Sequence, residues 1–292
     1  MAIRRRKFDS SSRGRDTSER RGVPDAKNSG KPRASGRPPG PPGQGGGGEI
    51  LYGINPVHTA LQARRRALRQ LCLKTGRPSE KLGQLRWLAE QAGVPVSEHA
   101  PGELEGMAGS PNHQGAVLRC GALPVLPERL VWDLPLGDHP LLVALDEVED
   151  PRNLGAVARC AAAFGAKGLV LPRRHAAPPG AAASKASAGA LETLPVYEAA
   201  NLARFLDQAK EKGYWIVGSA VEGGQPLPEF QRERPLVLVM GNEGRGMRDL
   251  VTRHCDYLLT IPLVGGGSLN VAAAAAVFLY HLRPRGGASG KD

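Results

Sequence analysis

Apolar positions along this chain fall into two stretches of different rhythm, joined by a proline-rich segment. In the first, ILYGINPVHTALQARRRALRQLCLKTG reads as a short strand, a helix with apolar residues at helical spacing, and a second strand. A second helix is expected over Lys81 to Gln91, then the short apolar segment Val94 to Val96, and after a loop NHQGAVLRC leads into a strand. Residues 49–122 therefore read as one compact α/β unit. After Cys120, Pro124, Pro127, Pro135 and Pro140 break the pattern, so residues 123–139 read as an ordered or semi-rigid linker.

From Leu141 strands alternate with helices: LLVALDEV, NLGAVARCAAAFGA, KGLVLP, NLARFLDQAKEKG, YWIVGSAV, LVLVMG, YLLTIPL and a final helix. Such alternation is the signature of an α/β fold with a mostly parallel sheet, here over residues 140–285, with 286–292 as a flexible C-terminus. Ligands of such sheets sit where strand ends meet helix starts.

Charge adds a third part. Residues 1–48 hold 12 Lys and Arg against 4 Asp and Glu, so the tail carries +8 of the chain's formal +11. Rich in Ser, Gly and Pro, with almost nothing apolar to bury, the tail is expected to be disordered. Two roles fit it, a loose electrostatic tether to nucleic acid or a solubilising extension. In the first unit Arg64, Arg65, Arg66 and Arg69 are candidate phosphate contacts, if they are not simply a solvated face, and His113 and Gln114 sit in a polar turn that could present them to a base or ribose.

Cys72, Cys120, Cys160 and Cys255 form no close pair of the kind that holds zinc, so structural thiols in a reducing compartment and no metal are expected. No apolar run reaches membrane-span length and the basic start lacks a secretory apolar stretch, so the expectation is a soluble, cytoplasmic protein.

Three loops carry candidate chemistry. In LDEVEDPRNLGAVARC a strand ends in an acidic turn, Asn153 is a natural helix N-cap, and Arg159 interrupts a run of small apolar residues, either as a surface arginine or as a cation with an anionic partner, which is usual in a helix packed on a sheet. In LVLVMGNEGRGM a buried strand ends in a glycine loop around Glu243. That loop has neither the Lys-Ser/Thr of a phosphate loop nor the dinucleotide spacing. In LTIPLVGGGSLNVAAAAAVFLYHL a strand runs through three glycines to Ser268 and Asn270, either of which would cap the last helix.

Taken in this order, the three segments resemble the motifs of the SpoU (TrmH-like) branch of the SPOUT methyltransferases, over residues 141–283. ILYGINPV and NHQGAV look like the small L30e-like domain that precedes the catalytic one in bacterial rRNA guanosine 2′-O-methyltransferases of the RlmB type. The resemblance implies a C-terminal trefoil knot, a homodimer whose sites take residues from both subunits, S-adenosyl-L-methionine as methyl donor, and RNA as substrate, most specifically a guanosine of 23S rRNA. Gly241, Ile261 and Leu269 fall in the donor-binding loops by position. Asn153, Arg159, Glu243, Ser268 and Asn270 match the functional positions.

The implied reaction is attack of a ribose 2′-hydroxyl on a sulfonium methyl carbon, which depends mostly on positioning. A guanidinium stays charged near neutral pH and makes an awkward base, so Arg159 reads as an electrostatic clamp on the developing alkoxide. The run Gly265 to Gly267 departs from many relatives. The rival readings are a tRNA 2′-O-methyltransferase of the same family, a resistance enzyme acting on adenosine, and a noncatalytic RNA-binding ribosome-assembly factor.

Overall fold

The computed structural model describes residues 48–135 and 139–284. Residues 1–47 of the basic tail and 286–292 of the C-terminus, expected to be disordered and flexible, lie outside the described residues.

The first stretch forms β1 (Glu49–Tyr52), α1 (Ile54–Ala63), β2 (Leu68–Lys74), α2 (Glu80–Gln91), β3 (Val96–His99), α3 (Pro101–Ala108) and β4 (Ala116–Cys120). The four strands lie in the order β1-β4-β2-β3, with β4 antiparallel to both neighbours and β3 parallel to β2. Alternation along the strands sorts the two faces. Leu51, Leu71, Leu73 and Leu118 pack against Val57 and Leu61 of α1 and Leu85 of α2, whereas Cys72 and Val117 meet Leu104 of α3. Helix α3 escapes a periodicity search because Leu104 is its only buried residue; Pro101 opens it with a pre-set φ.

The second stretch adds β5 (Leu126–Pro127), β6 (Leu141–Leu145), α4 (Pro151–Ala163), β7 (Gly168–Pro172), α5 (Ala181–Ala186), β8 (Val196–Ala199), α6 (Leu202–Glu211), β9 (Trp215–Ala220), β10 (Gln225–Pro226), β11 (Leu236–Met240), α7 (Asp249–Thr252), β12 (Tyr257–Thr260) and α8 (Val271–Leu282). Eight strands pair in the order β10-β12-β9-β11-β6-β7-β8-β5, and every pair is parallel. The α/β fold with a parallel sheet expected from the alternation is therefore present. Leu141, Val143 and Leu145 of β6 face α4 and α8, while Leu142 and Ala144 face Phe205 and Leu206 of α6. Both faces are covered, which is why these central strands are continuous apolar runs.

Residues 123–135 carry more regular structure than a linker requires. Leu126 and Pro127 pair with Tyr197 and Glu198 of β8, and a 3₁₀ turn over Glu128–Asp133 buries Val131 and stacks Trp132 on Phe205 at 5.1 Å between ring centroids. The prolines forbid long elements here but suit a two-residue strand on a sheet edge.

The arginine run after α1 does not serve as a row of free phosphate contacts. Arg66 is 3% exposed and forms a two-pronged ion pair with Glu192, Nε to Oε2 at 2.7 Å and Nη2 to Oε1 at 2.9 Å. Its Nη1 also reaches Glu49 Oε2 at 2.7 Å, and Arg65 donates to the carbonyl of Leu194 at 2.8 Å. Both side chains thus join the small sheet to the segment between α5 and β8. Arg64 has φ 50° and ends α1 in the left-handed region, while Arg69 remains exposed.

Candidate active site

Strands β6 and β11 lie side by side at the middle of the large sheet, with Leu145 opposite Met240. From β6 the order runs to β7 and β8 on one side and to β11 and β9 on the other, so the loops leaving β6 and β11 diverge at a topological switch point and open a crevice.

Buried acid fixes the two loops together. Asp146, fully buried just past β6, accepts from the Arg248 backbone N–H and Nε, each at 2.8 Å, and meets Nη2 at 2.6 Å. The Asp146 hydrogen bond is the main reason the Arg248 guanidinium is held above its usual pKa. Asn242 donates from Nδ2 to the Glu147 carbonyl at 3.0 Å and accepts from Gly244 N–H at 2.9 Å. The backbone of Asn242 also exchanges two hydrogen bonds with Gly246. This fold-back explains Gly241, since a Cβ there would lie 2.2 Å from Gly246 C and Met247 N.

The fold-back leaves Glu243 pointing outward to the start of α4. There the N-cap is Asp150, not Asn153: Asp150 Oδ1 accepts from Arg152 N–H at 2.8 Å, with Pro151 as the first helical residue. Released from capping, Asn153 donates from Nδ2 to Glu243 Oε1. Asn270 completes the cluster, with Nδ2 at 3.3 Å from both Asn153 Oδ1 and Glu243 Oε1. Its Oδ1 accepts from Ala272 N–H at 2.9 Å, so Asn270 is the cap of α8, as expected. Residues from three loops, up to 117 positions apart, therefore share one hydrogen-bonded cluster.

Beside the cluster opens a cleft of about 630 Å³ that reaches Met240, Gly241, Ile261, Leu269 and Phe278, with Glu243 and Ser268 among its polar lining. The three residues expected in the donor loops all contribute. Ser268 is exposed and makes no hydrogen bond among the described residues, and Gly266 and Gly267 occupy φ 68° and 82°, where glycine costs least.

Arg159 is not drawn into the cluster. Helix α4 buries Leu154, Val157, Ala158 and Ala161, and Arg159 lies outside that stripe, exposed and without an ion pair among the described residues. No anionic partner meets it among the described residues, where the side chain stays exposed. His113 also turns away from the surface. His113 is 8% exposed and its Nδ1 accepts from Gly115 N–H at 3.1 Å, while Gln114 Oε1 accepts from Ile54 N–H at 3.0 Å. His113 is thereby held inward within its own turn, whereas Gln114 ties that turn to Ile54 and stays exposed.

Asp146, Asn242 and Arg248 were not singled out in the sequence. The available signal was an acid directly after a buried strand, a position that needs a buried donor to be tolerated. Among the described residues no group of three or more His, Cys, Asp or Glu could hold a metal ion, and no helix is long and apolar enough to cross a membrane.

A parallel sheet covered on both faces, with a polar cluster and a cleft at its switch point, defines an α/β enzyme whose chemistry is carried by loops. Residues 140–280 match the SpoU rRNA Methylase family, and residues 50–125 match the family described as RNA 2′-O ribose methyltransferase substrate binding. The chain is 37% identical over 237 residues to the 23S rRNA (guanosine-2′-O-)-methyltransferase RlmB of Pseudomonas aeruginosa, an alignment that covers 80% of this chain and 95% of the relative. It is structurally similar to the SpoU methyltransferase AviRb of Streptomyces viridochromogenes in complex with AdoMet, at TM-score 0.68 and 25% identity over 81% of this chain and 89% of that one. The AdoMet-bound rRNA methyltransferase of Sinorhizobium meliloti is likewise similar, at TM-score 0.67 and 25% identity over 80% and 86% of the two chains. The chain belongs to the SpoU rRNA methylase family.

Proposed function

We propose that this protein methylates the ribose 2′-hydroxyl of a guanosine in 23S rRNA, with S-adenosyl-L-methionine as methyl donor. The observation that carries the reading is the cleft at Gly241, Ile261 and Leu269 opening directly beside the Asn153–Glu243–Asn270 cluster. The name of the relative that is 37% identical over 237 residues and the AdoMet bound to the structural neighbours supply the substrate and donor.

The donor fits the residues present. The cleft has ample volume, Met240, Ile261 and Leu269 offer apolar contact, and the glycine loop leaves backbone groups open to an adenosyl or amino-acid moiety. When bound, the donor supplies an electrophilic methyl group on a positive sulfur. Asn153 and Asn270 hold the Glu243 carboxylate on one oxygen, which leaves the other oxygen to orient a ribose hydroxyl. Ser268, on the cleft wall, adds a hydroxyl to the same region. Arg159 acts as an electrostatic clamp on the oxygen that loses its proton.

The exposed position of Arg159 fits a homodimer in which each subunit completes the other's site. Val277 and Tyr280 of α8 are 41% and 58% exposed, and a second copy would cover them. In this reading residues 49–122 are an L30e-like RNA-binding domain, 123–139 connect it, and 140–285 form the methyltransferase domain with a C-terminal trefoil knot. The basic tail adds sequence-independent attraction to RNA, and the protein acts in the cytoplasm.

The test is incubation of the purified protein with labelled donor and, separately, naked 23S rRNA, precursor large subunits and total tRNA, followed by mapping of ribose methylation. Label on a 23S guanosine that disappears with Arg159→Ala is expected. Label confined to tRNA, or donor binding with no label in any pool, overturns the assignment.

A further inference from the structure

The α1–β2 turn enters the large sheet's layer through buried charge, and the contact lies against the helix that carries Asn153. Arg66 and Glu192 have side chains that are 0% and 1% exposed, and they are 126 residues apart in sequence. Their remaining valences are used: Ser184 Oγ donates to Glu192 Oε1 at 2.7 Å, and Arg66 Nη1 reaches Glu49 and the carbonyl of Gly121 at 3.2 Å. Burial works against the Arg66 charge, but the hydrogen bond and charge of Glu192, with Glu49 behind it, hold its pKa above the usual range.

Around this pair the surfaces meet without room for adjustment. A Cβ on Gly189 would lie 2.6 Å from Thr59 Oγ1 and 2.9 Å from the Asn55 carbonyl, both on α1. Lys185 donates to the Asn112 carbonyl at 3.0 Å and stands over the Tyr52 ring at 5.1 Å. Behind the contact α5 packs on α4 equally closely, since a Cβ on Gly155 would lie 2.4 Å from the Ala183 carbonyl. Gly155 is two residues beyond Asn153.

We infer that Arg66 and Glu192 are positioning residues: they fix the small domain on the α5–α4 pair, so that RNA held by that domain meets the Asn153–Glu243–Asn270 cluster in one orientation. The inference rests on the RNA-methylation reading above. An apolar contact would resist separation but tolerate sliding, whereas a two-pronged guanidinium–carboxylate pair has one geometry. Leaving either partner alone would strand a buried charge, so the pair is formed only in the docked state.

The test replaces both ions together, Arg66→Met with Glu192→Leu, because a single removal would leave an unpaired charge and unfold the contact. In the full chain the double variant is expected to keep its affinity for S-adenosyl-L-methionine, to raise KM for RNA by about tenfold, equivalent to about 1.4 kcal/mol, and to change kcat less. Hydrogen exchange is expected to accelerate in α5 and the first turn of α4, and Arg66→Lys, which keeps the cation but loses the fork, to fall between. A folded double variant with unchanged exchange in α4 and α5 overturns the inference, as does faster exchange with unchanged KM for RNA. If the wild type methylates no RNA, the proposed function fails, and the exchange comparison then decides alone whether the pair holds the two domains.

Discussion

Asn270 Nδ2 lies 3.3 Å from Glu243 Oε1 while the other end of the same amide caps α8 through Ala272 N–H. One side chain therefore ties the last helix to the glycine loop, and its loss should be felt twice. Asn270→Ala is expected to lower stability by about 1 kcal/mol through the missing cap and to reduce methylation. Combined with Glu243→Ala, the loss in kcat/KM should be less than the sum of the two single losses, because both act on one cluster. Fully additive losses in a double-mutant cycle would show that the two side chains act separately.

Arg159→Ala should separate chemistry from folding. The side chain is exposed and unpaired among the described residues, so the melting temperature should hardly move, a change of about 0.5 kcal/mol or less. Methylation should fall by about 100-fold or more if it stabilises the developing oxyanion, with donor affinity retained. Calorimetric donor titration alongside single-turnover methylation checks both halves, and a variant near wild-type rate removes Arg159 from the mechanism.

Gly241→Ala should abolish donor binding with the sheet intact. The added carbon would need to displace Gly246 C and Met247 N, each 2.2 Å away, which opens the Asn242–Gly246 fold-back and with it the wall of the cleft. Titration with S-adenosyl-L-methionine, with far-ultraviolet circular dichroism as the folding control, is the measurement. Wild-type affinity would show that the loop can relax without cost.

Asp146→Ala should destabilise the fold as well as the site. It removes the acceptor for the Arg248 backbone and side chain from a fully buried position. Because Arg248 itself is half exposed and can turn to water, the expected loss is about 1–3 kcal/mol rather than that of a fully buried pair. Urea unfolding reads it directly, and an unchanged midpoint would show that the two loops need no shared acid.

Alkaline pH should weaken the protein. Burial pushes the thiols of Cys120 and Cys255 up to about 12, and the Tyr214 hydroxyl, buried without a hydrogen-bond partner, also to about 12. Their folded pKa values exceed the unfolded ones, so the contribution is complete below about pH 9 for the thiols and 10 for the tyrosine and is lost as pH rises towards 12. Denaturant midpoints measured from pH 8 to 11 should fall throughout the upper half of that range. At pH 8 native Cys120 and Cys255 should resist alkylation until the protein is unfolded, as read by mass spectrometry.

Most strands and helices with repeated apolar contacts were legible in the sequence, and so was the parallel sheet, because β6 and β11 are unbroken apolar runs and α4, α6 and α8 keep helical spacing. What escaped were β8, too short at four residues to show a run, and elements with almost no apolar signature of their own: α3, with Leu104 alone buried, and α5, whose AAASKA has small residues on every side. The cluster residues Asn153, Glu243 and Asn270 were found through the order of three loops, yet the role of Asn153 shifted. Asn153 was assigned the cap that Asp150 supplies, since both residue types cap helices and only geometry decides between neighbours. Arg66 was read as a phosphate contact or part of a solvated face because its partner Glu192 lies 126 residues away, a distance at which no local pattern carries information.

The large sheet ends at both rims in a strand of two residues whose second member is proline, Leu126–Pro127 at β5 and Gln225–Pro226 at β10. A rim of that length gives an incoming chain almost no ladder to extend, and proline withholds one of its few amide donors. The strongly apolar interior strands, which would seed fibrils if they stood at an open border, are thus sealed against self-templated growth on either side. Any tendency of this protein to polymerise at high concentration is to be sought at β3, a border strand of the small sheet.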